Sequence, residues 1–202
     1  MAKRGAIDPV LREQLAEEAA RLIADHGIQD YGLAKRKAAS RFGVRGAGAL
    51  PSNTEIEARV SARQRLFAGD GHSERLAGMR RIAARLMDEL TAFEPRLVGP
   101  VLAGTVTVNS SIELHLFTDA PEDVVERLQS RGYSVRNCQR RYRYNGQGAV
   151  LVPGFRFAAC GERIYALTFP EKGLRQAPMS PIDGRPMRRA DRGRLLVLLA
   201  AG

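Results

Sequence analysis

Apolar residues recur at helical spacing over the first ninety positions and alternate over the middle of the chain, so the sequence reads as helices followed by a sheet. Leu11, Leu15, Ala19, Leu22 and Ile23 share one face of a helix predicted over ~9–27, with Gly27 as its stop. A second helix is predicted over ~30–42, with Asp30 as N-cap and Gly43 at its end. Arg45 to Pro51 reads as a loop. Ser52-Asn-Thr-Glu55 is a capping-box pattern that starts a third helix running to about Phe67. Ser73 caps a fourth, whose buried stripe is Leu76, Met79, Ile82, Ala83, Leu86 and Leu90.

The period then changes. Leu97–Ala103 is a short apolar run expected to be a strand, and Gly104-Thr105 opens a turn through Asn109. Ser111–Phe117 alternates strictly, with Ile112, Leu114 and Leu116 on one face and Ser111, Glu113 and His115 on the other. A short helix beginning at Asp119 or Ala120 ends at Gly132, and strands are expected over roughly 133–144, 149–158 and 163–169. Residues 171–190, rich in Pro, Gly and Met, read as an extended tail, and Arg192–Ala200 as a final helix. The expected class is α/β (α+β): a mixed sheet with helices on one face, preceded by an N-terminal helical region. The domain boundaries follow as 1–72, 73–170 and 171–202.

Composition changes this picture little. No apolar run approaches the ~20 residues of a membrane-spanning helix, and the start lacks the pattern of a signal peptide, so a soluble cytoplasmic protein is the expectation. Cys138 and Cys160, the only cysteines, are read as reduced thiols. The net charge is +10, which favours phosphate-bearing partners. The basic residues are nearly all Arg, however, a bias that a GC-rich coding sequence also gives.

The stretch that carries chemistry is Val101-Leu-Ala-Gly-Thr105, a five-residue spacer, then Ser111-Ile-Glu-Leu-His-Leu-Phe117. It resembles the signature of the nucleotidyltransferase superfamily, the polymerase-beta-like fold. The resemblance implies that Gly104 and Thr105, with Ser111, contact nucleotide phosphate, and that Glu113 is a metal-binding carboxylate. It also implies Mg²⁺ or another divalent metal if the chain is active. Ser111 stands where the family has its first Asp. His115 is the second member of the pair if the register slides by two. The third carboxylate belongs in the strand 163–169, where Tyr165 holds the equivalent position and Glu162 is the nearest acid. Losing two carboxylates removes most of the attraction for a divalent ion, so binding is favoured over catalysis. Asp119 and Asp123 are possible substitutes, but a helix cap and first-turn position account for both.

Arg136, Arg140, Arg141 and Arg143, interleaved with Tyr142 and Tyr144, suit RNA or single-stranded DNA, charge tracking phosphates while rings stack on bases. An edge strand guarded by positive charge has the same composition. The tail offers Arg185, Arg188 and Arg189 to the same cleft, or is a packing arm. Three readings follow: a nucleotidyltransferase-like protein that binds RNA or a nucleotide, an active enzyme using Glu113 with His115 or Glu162, or a regulator whose helices contact DNA or a protein. The oligomeric state is left open.

Overall fold

The computed structural model describes residues 8–28, 30–44, 50–67, 70–144 and 148–201. The chain divides into two compact units, the first holding residues 1–68 with 107–109 and 181–183, the second the remainder. Residues 45–49 of the expected loop lie outside the described residues.

The first unit is helical: α1 (Pro9–His26), α2 (Tyr31–Arg41) and α3 (Asn53–Phe67). Each begins on a side-chain cap, the second and third where the sequence places one. Asp8 accepts from the Val10 amide, with Pro9 pre-set for the first turn, and Asp30 accepts from Leu33. At α3 the capping box is reciprocal: Glu55 N–H donates to Ser52 Oγ at 3.1 Å and Ser52 N–H donates to Glu55 at 2.6 Å. The Arg12 guanidinium beside Glu55 holds its carboxyl well below the usual range, with the Ser52 bonds adding to the effect. Leu15, Ala19, Leu22, Ala34, Ala38, Ile56 and Val60 form the core, and its alanines allow close helix packing.

The second unit contains α4 (Asp70–Glu89), β1 (Arg96–Val98), α5 (Gly99–Ala103), β2 (Ile112–Phe117), α6 (Pro121–Ser130), β3 (Arg136–Arg143), β4 (Ala149–Ala159), β5 (Glu162–Phe169) and α7 (Arg192–Ala200). The five strands form one mixed sheet in the order β1-β2-β5-β4-β3. β2 and β5 are parallel, and every other neighbouring pair is antiparallel. The alternation of β2 sends Ile112, Leu114 and Leu116 into the main core. There they meet Met79, Ala83, Leu86 and Met87 of α4, Leu90 just beyond its end, Val124 and Leu128 of α6 and Leu195 of α7. Helices therefore cover one sheet face. On the other, Phe117, Tyr142, Val152, Leu167 and Phe169 pack with Leu174 and Met187 from the segment after β5.

Three expectations change. Ser73 does not cap the fourth helix: α4 starts at Asp70, and Ser73 lies within it. The predicted strand over Leu97–Ala103 is a short strand that ends at Val98 and is followed by a helical turn, because Gly99 turns with φ +70° and Pro100, locked in φ and lacking N–H, starts α5. The segment 171–190 is not a free extended tail. A 3₁₀ turn covers Glu171–Leu174, Met179 bridges Pro186, and Ala190 bridges Leu97. No helix among the described residues is long and apolar enough to cross a membrane.

Candidate functional site

The register of the sheet decides which side chains share its second face. Glu113 of β2 stands opposite Tyr165 of β5, Tyr165 opposite Arg156 of β4, and Arg156 opposite Arg136 of β3. Residues paired in register project to the same face, so these four form one row across the sheet. The next row runs through His115, Leu167, Gly154 and Cys138. Arg140 lies a further step along β3, opposite Val152. Its side chain reaches back over the level of Gly154, which has no side chain of its own. There its guanidinium sits 4.5 Å from the Tyr165 ring centroid and its Nη1 lies 2.7 Å from Glu113 Oε2.

This ion pair is the main electrostatic feature of the face. The Glu113 side chain is 12% exposed and that of Arg140 26%. Burial alone would lower the Arg140 pKa, but the charge of Glu113 and its hydrogen bond outweigh burial and raise it. The carboxylate is thus already held by a cation. The backbone of Gly99 lies against the same carboxylate: a β-carbon there would fall 2.9 Å from Glu113 Oε2.

His115 is fully buried. Arg189 Nε donates to its Nδ1 at 3.2 Å, and its Nε2 lies 3.1 Å from the Tyr142 hydroxyl. A guanidinium only donates, so Nδ1 is the acceptor and the proton of the neutral ring resides on Nε2, donated to Tyr142. Burial pushes the His115 pKa well below its usual value, and the charges of Arg189 and Arg140 push it further. Burial likewise raises the Tyr142 hydroxyl, with the Glu113 charge adding to it. Phe169 lies 4.4 Å from the His115 ring and Tyr142 meets it edge-on. Arg189 sits over Phe117 and Phe169, donates to the Gly173 carbonyl at 2.8 Å, and keeps a buried Nη2 with no partner among the described residues. The histidine end of the face is filled by aromatic packing.

The structure brings together only some of the sequence candidates. Glu113 and His115 share the second face, as expected, but one is ion-paired and the other buried. Gly104 and Thr105 do not join them. Both backbone N–H groups donate to the Pro100 carbonyl, at 2.8 and 3.0 Å, and Gly104 faces Leu76 and Arg80 of α4. The glycine beside Glu113 is Gly99, which the sequence reading places inside an expected strand and does not single out. Ser111 is buried, its Oγ without a partner among the described residues. Glu162 falls on the opposite face from Glu113, where it pairs with Arg75 of α4 at 3.3 Å. Asp119 and Asp123 are exposed. Among the described residues no group of three His, Cys, Asp or Glu side chains is placed to hold a metal ion.

The basic stretch divides between faces. Arg136 and Arg140 project to the Glu113 side, and Arg141 and Arg143 to the other. Tyr142 is 8% exposed and engaged with His115, which removes it as a stacking platform, whereas Tyr144 is half-buried. Arg185 and Arg188 are exposed, and Arg189 alone of the three points into the face. Arg156 is the basic residue that sequence reading missed. The Arg156-to-Arg136 register is a long-range fact with no local signal. No family model, curated protein or solved structure matches the chain.

Proposed function

We propose that this chain is a nucleotidyltransferase-like protein that binds RNA or a nucleotide on the sheet face carrying Glu113, with a catalytic carboxylate set that is incomplete. The observation that carries the reading is the pairing of Arg136 with Arg156 beside Tyr165. Both arginines are exposed, neither has a carboxylate partner among the described residues, and the one nearby acid, Glu113, is held by Arg140. Two adjacent guanidinium groups without counter-charge suit phosphate oxygens. The half-buried Tyr165 offers a ring edge and hydroxyl next to them.

The likeness to nucleotidyltransferases is supported by a glycine turn, Gly99, set against the one motif carboxylate, and by Tyr165 opposite Glu113 where a third carboxylate is expected. A tyrosine there does not ligate Mg²⁺ as a carboxylate does, and His115, neutral and buried, offers no open ligand. Binding independent of a divalent metal is the consequence.

A labelled twelve-nucleotide single-stranded RNA, titrated by fluorescence anisotropy across a salt series, tests this. The wild-type chain is expected to bind at 50 mM salt with or without a chelator. Replacing both arginines (R136Q with R156Q) is expected to weaken binding at least tenfold and to flatten the log–log salt slope by about 1.4, two contacts at roughly 0.7 each. Absence of binding to RNA and to nucleoside triphosphates at that salt overturns the proposal, as does an unchanged slope in the double variant.

A further inference from the structure

The outer margin of β3 presents an open hydrogen-bonding ladder. Two bonds fix its orientation. Met179 N–H donates to the Arg143 carbonyl at 2.7 Å, so that carbonyl points away from β4. The Thr168 hydroxyl donates to the Pro153 carbonyl at 3.1 Å, so Pro153 points toward β5, and its register partner Gln139 points outward. Backbone direction alternates along a strand. The amide and carbonyl groups of Asn137, Gln139 and Arg141 therefore all face outward, and none has a hydrogen-bond partner among the described residues. Their side chains are exposed, and the stretch from Asn137 to Arg141 spans about 14 Å, at ~3.4 Å per residue.

We infer that this margin receives an extended acidic segment of a partner protein as an added antiparallel or parallel strand. Charge selects the occupant. Arg136, Arg140, Arg141 and Arg143 lie on β3 with no acid among residues 136–143, and among the described residues only Arg140 of these is ion-paired. A strand laid against the ladder places alternate side chains ~5 Å from these arginines, on both sheet faces, so carboxylates are matched and cations are excluded. A second copy of β3 is disfavoured for the same reason: it would bring an equal set of arginines to the opposite strand, in a chain already at +10. The RNA-binding reading uses the Arg136–Arg156 row and this inference the outward backbone of β3, Arg136 being the one residue that both invoke.

The probe is a capped heptapeptide of alternating Glu and Val, followed by anisotropy and by amide hydrogen exchange. Binding is expected to slow exchange at Asn137, Gln139 and Arg141 at least tenfold while leaving their in-strand neighbours unchanged. The same peptide N-methylated at alternate residues keeps its charge and loses one edge of its ladder, and is expected to bind at least tenfold more weakly. In the protein, Gln139→Pro removes one outward N–H and blocks the margin without removing a bond to β4. It is expected to abolish peptide binding while retaining circular dichroism and RNA affinity. Equal binding by the N-methylated peptide, which would mark charge attraction alone, or no change in exchange at the three amides, overturns the inference. So does an oligoglutamate of equal charge, or RNA, that slows the three amides as strongly as the alternating peptide.

Discussion

Replacing His115 by Asn is expected to flatten the acid side of the stability curve. The buried ring is neutral in the folded chain, its pKa far below the ordinary 6.5 because it is stripped of water and faces Arg189 and Arg140. An unfolded chain returns His115 to the ordinary value. Below pH 6.5 the unfolded form takes up a proton that the folded form refuses, so stability falls as pH falls. From the linkage relation, RT ln(1 + 10^1.5) amounts to about 2 kcal/mol lost at pH 5, and the limiting slope is ~1.4 kcal/mol per pH unit. The carboxylates held low by arginines do not obscure this window: Glu18, kept near about 2 chiefly by its hydrogen bond to Arg21 against the opposing effect of burial, stays charged throughout it. Asn keeps an oxygen where Nδ1 accepts from Arg189, so H115N is expected to lose about 1–2 kcal/mol at pH 7.5 yet far less between pH 7.5 and 5. Urea unfolding read by tyrosine fluorescence measures it, since Tyr133, Tyr142, Tyr144 and Tyr165 report on the second unit and Tyr31 alone on the first. An H115N slope equal to that of the wild type refutes the assignment of a neutral buried imidazole.

Removing Arg140 (R140Q) strands a mostly buried carboxylate and is expected to destabilise the second unit by about 2–3 kcal/mol, less than a fully buried pair because the guanidinium keeps some exposure. A double-mutant cycle with E113Q is expected to give a coupling near ~2 kcal/mol, and additivity would deny the pair. Gly154→Ala is expected to cost about 3 kcal/mol in thermal unfolding, because its β-carbon would lie 2.4 Å from the Ala166 carbonyl oxygen on the neighbouring strand; a neutral result would show that β4 and β5 separate freely.

The elements of this chain were largely legible because their signals are local. Asp30 and the Ser52–Glu55 box announce helix starts through bonds only a few residues long, and the alternation of Ile112, Leu114 and Leu116 announces which face of β2 is buried. The break at Gly99-Pro100 was also local, but the apolar run from Leu97 to Ala103 masked it. The site was less legible, for a physical reason. Arg140 reaches Glu113 only because Gly154 and Tyr165 stand where the register places them, and Arg189 reaches His115 across seventy-four positions of chain. Long-range contacts also hid the burial of Tyr142, which meets His115 twenty-seven positions away and packs with Phe117, Phe169, Leu174 and Met187.

The two borders of the sheet are chemically unequal. At β1 the single outward-facing residue, Leu97, exchanges both of its main-chain bonds with Ala190, at 2.8 and 2.9 Å, so that side is sealed by the chain itself. A molecule that can be lengthened on one side only cannot propagate head to tail. With β1 sealed, copies of this chain cannot add to one another head to tail through their sheet borders; a contact between two β3 strands would use the open border of each and stop at a pair, a limit set by geometry rather than by charge alone.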